Sequence, residues 1–378
     1  MSTAFGETPL GTALIESRTT KGWLSSELAG REWDDFLRGC AMGQFQQSSL
    51  WAKAKGSDNW NHLRVLIEQE GRIFGGFQIL WRRTRFGRIG YVSKGPVLVS
   101  EEPKRVVFAL DLLSALVRLH RFRAIIVQPP DESRLLSSEL MNRGFAPDHF
   151  MNVISATCMV DLSGPTEEWE KNLGRSKKVE IRQARRRGLT VRQGGDADIP
   201  KFFELMSATC VRQRVRPNPG SLEALRCLFQ PFHETGEVSL TFAEYQREAI
   251  ACVMDLKFGD RVTTWKKGWN GAHSNLHPNS LLAYESLRHA QSLGCKRLDF
   301  AGISRSLAEN VLAERPLTKE EGQSRDVFHL ELGARPRLLS PALIYWRSPA
   351  LRFFYSKAVR WPWLSTKLSR MARKWASQ

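Results

Sequence analysis

The chain has 378 residues, of which 42% are apolar and 25% charged, enough for two packed domains and too apolar for a disordered chain. Lys and Arg number 56 against 39 Asp and Glu, a formal charge of +17, which favours polyanionic partners such as RNA, anionic lipid or phosphorylated substrates. The six cysteines include no C-x-x-C pair, so neither a disulfide frame nor a zinc site is expected.

Residues 1–20 carry no apolar h-region and no run of about 18 apolar residues occurs anywhere, so a signal peptide and a membrane span are not expected. The expected location is the cytoplasm, with peripheral attachment to the inner face of the plasma membrane.

The first patterned stretch is Trp33 to Leu37, a short helix. It leads into Phe45-Gln46-Gln47-Ser48-Ser49-Leu50-Trp51, where Ser48 or Ser49 caps a helix carrying Trp51 and Lys55 four residues apart. Three strands follow: His62 to Glu68, then Ile73 to Trp81 after a turn at Gly71, then Arg88 to Ser93. A helix from about Glu101 to His120 precedes a strand from Arg123 to Gln128 that ends at Pro129-Pro130.

The same order returns later. Ser239 to Tyr245 and Ala249 to Lys257 flank a turn at Gln246-Arg247-Glu248, and Arg261 to Lys267 is the third strand. A helix over 279–293, closed by Gly294, then feeds the strand Arg297 to Ala301. A β-turn-β-β-α-β order that occurs twice predicts two similarly folded α/β domains with mixed sheets.

Between the copies, Arg175 to Gly188 reads as a strongly basic helix, either a solvated face or a phosphate-contacting one. Beyond Glu331 there are ten Lys or Arg and no Asp or Glu, interleaved with Trp346, Phe353, Phe354, Tyr355, Trp361, Trp363 and Trp375. Leu364, Leu368, Met371 and Trp375 form one apolar stripe. That composition predicts a basic amphipathic tail for an anionic membrane surface, for RNA, or for packing on the body. The domains expected are 1–155, 156–340 and the helical tail 341–378.

P-loop, Rossmann and nucleophile-elbow signatures are absent. His273 and His277 lie in a Gly/Asn loop without a third ligand type nearby, so no metal is expected. Nothing in the sequence fixes an oligomeric state or points to DNA.

Four pieces together resemble the FemAB-like family, aminoacyltransferases that build peptidoglycan interpeptide bridges from two tandem GNAT-like domains. They are Phe45-Gln46-Gln47-Ser48 with Trp51 and Lys55; Ile181 to Leu189; Thr209-Cys210-Val211-Arg212; and the helix–strand stretch ending at Asp299-Phe300-Ala301-Gly302. The late family lysine is replaced by His329 in Phe328-His329-Leu330-Glu331-Leu332-Gly333, and the long helical hairpin of some members is missing.

The resemblance implies a fold of two tandem acyl-CoA N-acyltransferase-like domains. It implies acyl or aminoacyl transfer to an amine of a phosphate-linked envelope precursor, with aminoacyl-tRNA or acyl-CoA as co-substrate and no permanently bound cofactor. Lys55 and Arg212 would bind acceptor phosphates, with Trp51 and Lys267 beside them as further substrate contacts. Asp299 would orient or deprotonate, and His329 would stand in for the lost lysine. Each has a plainer reading: Lys55 as a solvated helix residue, Arg212 paired with a glutamate, Asp299 capping a turn, His329 as a strand residue, and Lys267 as an edge-strand charge. The other readings are an acyl-CoA-dependent N-acyltransferase of polysaccharide synthesis and a non-enzymatic basic scaffold for RNA or membrane.

Overall fold

A computed structural model describes residues 13–16, 20–25, 30–85, 87–131, 133–149 and 153–358. The chain forms two compact units: residues 1–153 with 339–378, and residues 154–338.

Unit 1 begins with β1 (Ala13–Glu16), β2 (Thr20–Leu24), α1 (Gly30–Gly39) and α2 (Ser49–Gly56). Its sheet continues through β3 (Asn61–Gln69), β4 (Arg72–Thr84), β5 (Gly87–Ser93) and β6 (Val97–Leu98). Then come α3 (Pro103–Leu119), β7 (Phe122–Gln128), α4 (Leu135–Asn142) and β8 (Ala146–Pro147).

Unit 2 runs through β9 (Ala156–Asp161), α5 (Thr166–Lys171), α6 (Arg175–Arg186), β10 (Thr190–Gly194), α7 (Ile199–Arg212) and α8 (Leu222–Glu234). It continues with β11 (Val238–Tyr245), β12 (Glu248–Phe258), β13 (Arg261–Trp269), α9 (Pro278–Ser292), β14 (Arg297–Gly302) and α10 (Arg305–Leu312). It ends with α11 (Lys319–Gly322), α12 (Val327–Glu331) and β15 (Arg335–Leu338). The chain then re-enters unit 1 as β16 (Leu343–Trp346) and α13 (Pro349–Ala358). A strand thus opens the stretch that the sequence reads as helical tail, and its apolar stripe from Leu364 to Trp375 lies outside the described residues.

The strand orders are β1-β2-β3-β4-β5-β7-β16-β8, with β6 on β4, and β10-β11-β12-β13-β14-β9-β15. The repeated pattern is realised in both. Hairpin β3–β4 turns through two left-handed residues, Glu70 and Gly71, and hairpin β11–β12 through Gln246 and Arg247, as tight two-residue turns between twisted strands require. A third antiparallel strand, a helix and a parallel strand follow in each unit.

In unit 2 the sheet separates two cores. On one face α7 and α8 bury Phe202, Leu205 and Phe229 against Phe242 and Met254. On the other, α9 buries Leu282 and Leu287 against Val253, Val262 and Leu298. Pro278 starts α9 at a position whose N–H is unpaired in any case, and left-handed Gly294 ends it.

The parallel pairs differ. In unit 1, β5 and β7 pair over six residues, from Arg88↔Phe122 to Ser93↔Gln128. In unit 2, β13 and β14 pair over three, from Arg261↔Arg297 to Thr263↔Asp299, and then part. Among the described residues, this opening lies on the second sheet.

Candidate active site

The register of β13 decides which side chains border this opening. Met254 pairs with Lys266 and Asp255 with Thr264, so Trp265 is an extra residue, a β-bulge. Side-chain alternation therefore shifts by one. Thr264, opposite Asp255, and Lys267, opposite Val253, both take the face that α9 covers. Without the bulge Lys267 would share the face of Trp265, which packs on the α7 and α8 core.

Lys267 Nζ lies 2.9 Å from His329 Nε2. Phe300 of β14 stacks on the His329 ring at 5.0 Å and 12°, and Phe328 meets it edge-on at 5.6 Å. The ammonium also sits 5.4 Å from the centre of the Phe300 ring, an electrostatically favourable place for a cation. His329 belongs to the helix α12 rather than to a strand.

Burial lowers Lys267 to about 8, against the opposing pull of Asp255 and Cys158. Burial, and then the Lys267 charge, lower His329 to about 3. At neutral pH the pair is therefore a desolvated ammonium donating to a neutral imidazole. That assigns the ring proton to Nδ1, which has no hydrogen-bond partner.

Beneath Lys267 the carboxyl of Asp255 is 3% exposed and burial raises its pKa. The hydroxyls of Ser286 and Thr264 face it and favour its charged form. Yet Asp255 Oδ1, Thr264 Oγ1 and Ser286 Oγ all lack a hydrogen bond of normal geometry. A cavity of about 20 Å³ bordered by Thr264, Lys267 and Ser286 adjoins them, room for one water with several polar partners.

The other expected residues fall elsewhere. Asp299 is 7% exposed and engaged: it accepts from the Thr157 hydroxyl and from the Ala301 N–H at 2.8 Å, with Arg261 at 3.9 Å. Ala301 is left-handed, and here β14 shifts register against β9, so Asp299 holds the bend that directly follows Phe300. Arg212, at the end of α7, lies over the Trp269 ring at 4.8 Å and donates to Thr209 Oγ1 at 3.2 Å. Trp269 ends the strand that carries Lys267, two residues on.

Trp51 and Lys55 belong to unit 1. Lys55 Nζ pairs with Asp58 at 2.6 Å and stands 5.3 Å from the Trp51 ring centre, and Trp51 packs edge-on to Phe45 at 5.2 Å. Gln47, which the sequence marks only as motif, is fully buried. Its amide donates to Ser93 O at 2.6 Å and accepts from the Gln78 N–H at 2.7 Å.

The sequence offers Lys267 as a substrate contact and His329 as a stand-in for the family lysine, and nothing in it pairs them. It missed Asp255, Thr264 and Ser286 altogether. The signal available was a carboxylate and a hydroxyl interrupting apolar runs in β12 and α9, residues that need partners once buried.

Both units of the chain are similar to known proteins. Residues 175–306 match the acetyltransferase (GNAT) domain family, and residues 28–148 match the FemAB family. The solved structure of FemX superposes with a TM-score of 0.74 at 15% identity, over 86% of this chain and 98% of that one. A conserved protein of unknown function from Bacteroides thetaiotaomicron superposes with a TM-score of 0.51 at 10% identity, over 84% of this chain and 96% of that one. Two mixed α/β units in one chain define the class, a tandem GNAT-type fold.

Within that class the chain is similar to the FemAB family over residues 28–148 and to FemX in fold. It is 23% identical over 239 residues to the lipid II:glycine glycyltransferase of Staphylococcus aureus (strain MRSA252), which is 60% of this chain and 56% of that protein. The protein of the same name from strain NCTC 8325 is 22% identical over the same length. The chain thus spans little more than half the length of the curated relatives it matches.

Proposed function

We propose that the protein transfers an aminoacyl group to an amine of a phosphate-linked cell-envelope precursor, and that the chemistry takes place where β13 and β14 part. The observation that carries this reading is the desolvated Lys267 ammonium set against neutral His329 at that opening. The similarity to lipid II:glycine glycyltransferases supports the acceptor class.

In the reaction the amine nitrogen forms the new C–N bond to the donor carbonyl. The carbonyl oxygen takes up charge, and the ester C–O bond then breaks. The proton lost by the amine ends on the leaving oxygen. Lys267 stabilises the developing oxyanion, as a pre-placed cation in a water-poor site does. It thereby supplies from β13 the cation that the segment 328–333 lacks. His329 holds that ammonium in place, and Asp299 orients the β14 bend rather than moving a proton.

Arg212, over Trp269 at the end of the strand that carries Lys267, contacts acceptor phosphate, which guanidinium binds in bidentate fashion. The exposed Arg175, Arg182 and Arg186 of α6 attract the phosphates of an RNA-borne donor.

The match of residues 175–306 to a GNAT acetyltransferase domain favours a second donor class, acyl-CoA, at the same opening. Binding of charged tRNA and of acetyl-CoA at two salt concentrations separates the two. Salt-steep binding of charged RNA, with transfer to a lipid-linked muropeptide, supports the aminoacyl reading. Saturable acyl-CoA binding without preference for charged over uncharged RNA replaces it with the CoA reading. Binding of neither overturns both.

A further inference from the structure

Lys177 is a buried cation that the proposed chemistry leaves without a task. Along α6, Arg175, Arg182, Arg185 and Arg186 are exposed, whereas Lys177 is 7% exposed. An ammonium is withdrawn from water only where partners replace its hydration. Lys177 Nζ donates to both oxygens of Glu180, at 2.9 and 2.8 Å, and lies 3.2 Å from Glu331 Oε2. It also stands 4.9 Å from the centre of the Phe328 ring, a favourable place for a cation.

Phe328 and Glu331 belong to α12, the helix that carries His329. Its five residues, Val327–Glu331, are all half-buried. So short a helix does not hold itself in water and keeps its place through its contacts. One is the stack of Phe300 on His329. The others come from α6 and the residue before it. The Gly174 N–H donates to Glu331 O at 2.7 Å, the Ser176 hydroxyl donates to Glu331 Oε1 at 3.3 Å, and Lys177 pairs with Oε2. Both ammoniums share the Phe328 ring, with Lys267 Nζ 6.0 Å from its centre.

We propose that Lys177 is a positioning residue of the transfer reaction: from α6 it fixes α12 so that His329 meets Lys267 and water stays out. Reacting groups that must be placed to within about 0.5 Å need such support behind them. The part played in transfer rests on the aminoacyl reading; the placement of α12 does not.

The test follows the ε-carbon resonance of Lys267 through a pH titration of the full chain carrying isotope-labelled lysine, with K267M assigning the signal. Asp255, Cys158 and His329 face that ammonium, and burial dominates its titration. Two variants separate placement from plain charge. K177M removes a cation and E331Q an anion, so charge alone raises the Lys267 midpoint in the first and lowers it in the second. A loosened α12 admits water and raises it in both. The expected result is a rise of at least about half a pH unit in both variants, with K177R near wild type and circular dichroism unchanged. Any other pattern, opposite movement above all, overturns the proposal.

Kinetics supply the second arm. K177M is expected to lower kcat about ten- to a hundredfold, with KM for the RNA-borne donor within about twofold of wild type. A raised KM with unchanged kcat would make Lys177 a donor contact and overturns the proposal equally. A wild type without transfer activity sinks the aminoacyl reading instead, and the titration still decides whether Lys177 places α12.

Discussion

Burial holds Lys267 well below an ordinary lysine, at about 8, and that shift acts on both activity and stability. If the ammonium is the working form, the rate falls as pH rises through about 8. K267M is expected to lower kcat by about 10²- to 10³-fold, the range for losing one oxyanion donor, and K267R by less. The sign for stability is opposite. Below about 8 the native state carries an ammonium that burial disfavours, and between about 8 and 10.5 the native chain holds fewer protons than the unfolded one. Stability from this group therefore rises with pH across that window. At pH 7 K267M is expected to melt about 2–4 °C higher than wild type, with the gap closing above about pH 10, as calorimetry at both values would show. Asp255 acts through Lys267, since its charge raises the lysine. D255N is expected to move the basic limb of the kcat profile to lower pH without a matching change in KM. An unmoved limb would leave Asp255 a purely structural residue. Lys267 and His329 stand among the sequence candidates, but their pairing above Asp255 was not legible, because alternation along Thr263, Trp265 and Lys267 puts the lysine on the wrong face. One inserted residue, visible only in the pairing with β12, reverses it.

Elements were easier to read than their seams. The main helices and strands of the two repeated runs, His62 to Gln128 and Ser239 to Ala301, emerge from apolar spacing, caps and turn residues, because those signals are local, whereas α4, β9, α5, β10 and α8 were not read. What local signals omit is how firmly two strands are joined. The Phe45-Gln46-Gln47-Ser48 stretch carries part of the family resemblance, and Ser48 does cap α2, accepting from the Trp51 N–H at 3.1 Å. Gln47, however, fastens β4 to the end of β5 through Gln78 and Ser93, and Gln78 in turn binds Arg64 at 2.8 Å. The strand that corresponds to β5 in unit 2 ends with Lys267 and Trp269 beside an opening, whereas Gln47 seals its counterpart in unit 1. Q47A would leave a buried N–H and a buried carbonyl unpaired, at a cost of about 2–4 kcal/mol. Urea unfolding followed by fluorescence is expected to show that loss in the unit 1 transition. A loss below about 0.5 kcal/mol would mean that water replaces the amide.

At the scale of the molecule, unit 1 is built from two separated stretches of chain. β16 lies between β7 and β8 in the sheet order, pairing Leu343 with Val127 and Ile344 with both Ile126 and Ala146. Leu343 and Ile344 are 1% and 2% exposed. Basic composition marked the end of the chain as a tail, and it concealed a four-residue strand whose partners lie 196 to 222 positions earlier. Such pairing is non-local, so no window of sequence contains it. Removing residues 339–378 would take out an interior strand, expose the edge of β7 and strip the cover from Ile126. Unit 2 is continuous over 154–338 and loses nothing from its sheet. Truncation after Leu338 is therefore expected to abolish the cooperative transition of unit 1 while unit 2 still melts as one step, with proteolysis cutting first among residues 1–153. Truncation after Ala358 keeps β16 and Tyr355 and is expected to leave both transitions within about 2 °C of wild type. If the shorter deletion were as damaging as the longer one, the loss of β16 would not be what unfolds unit 1.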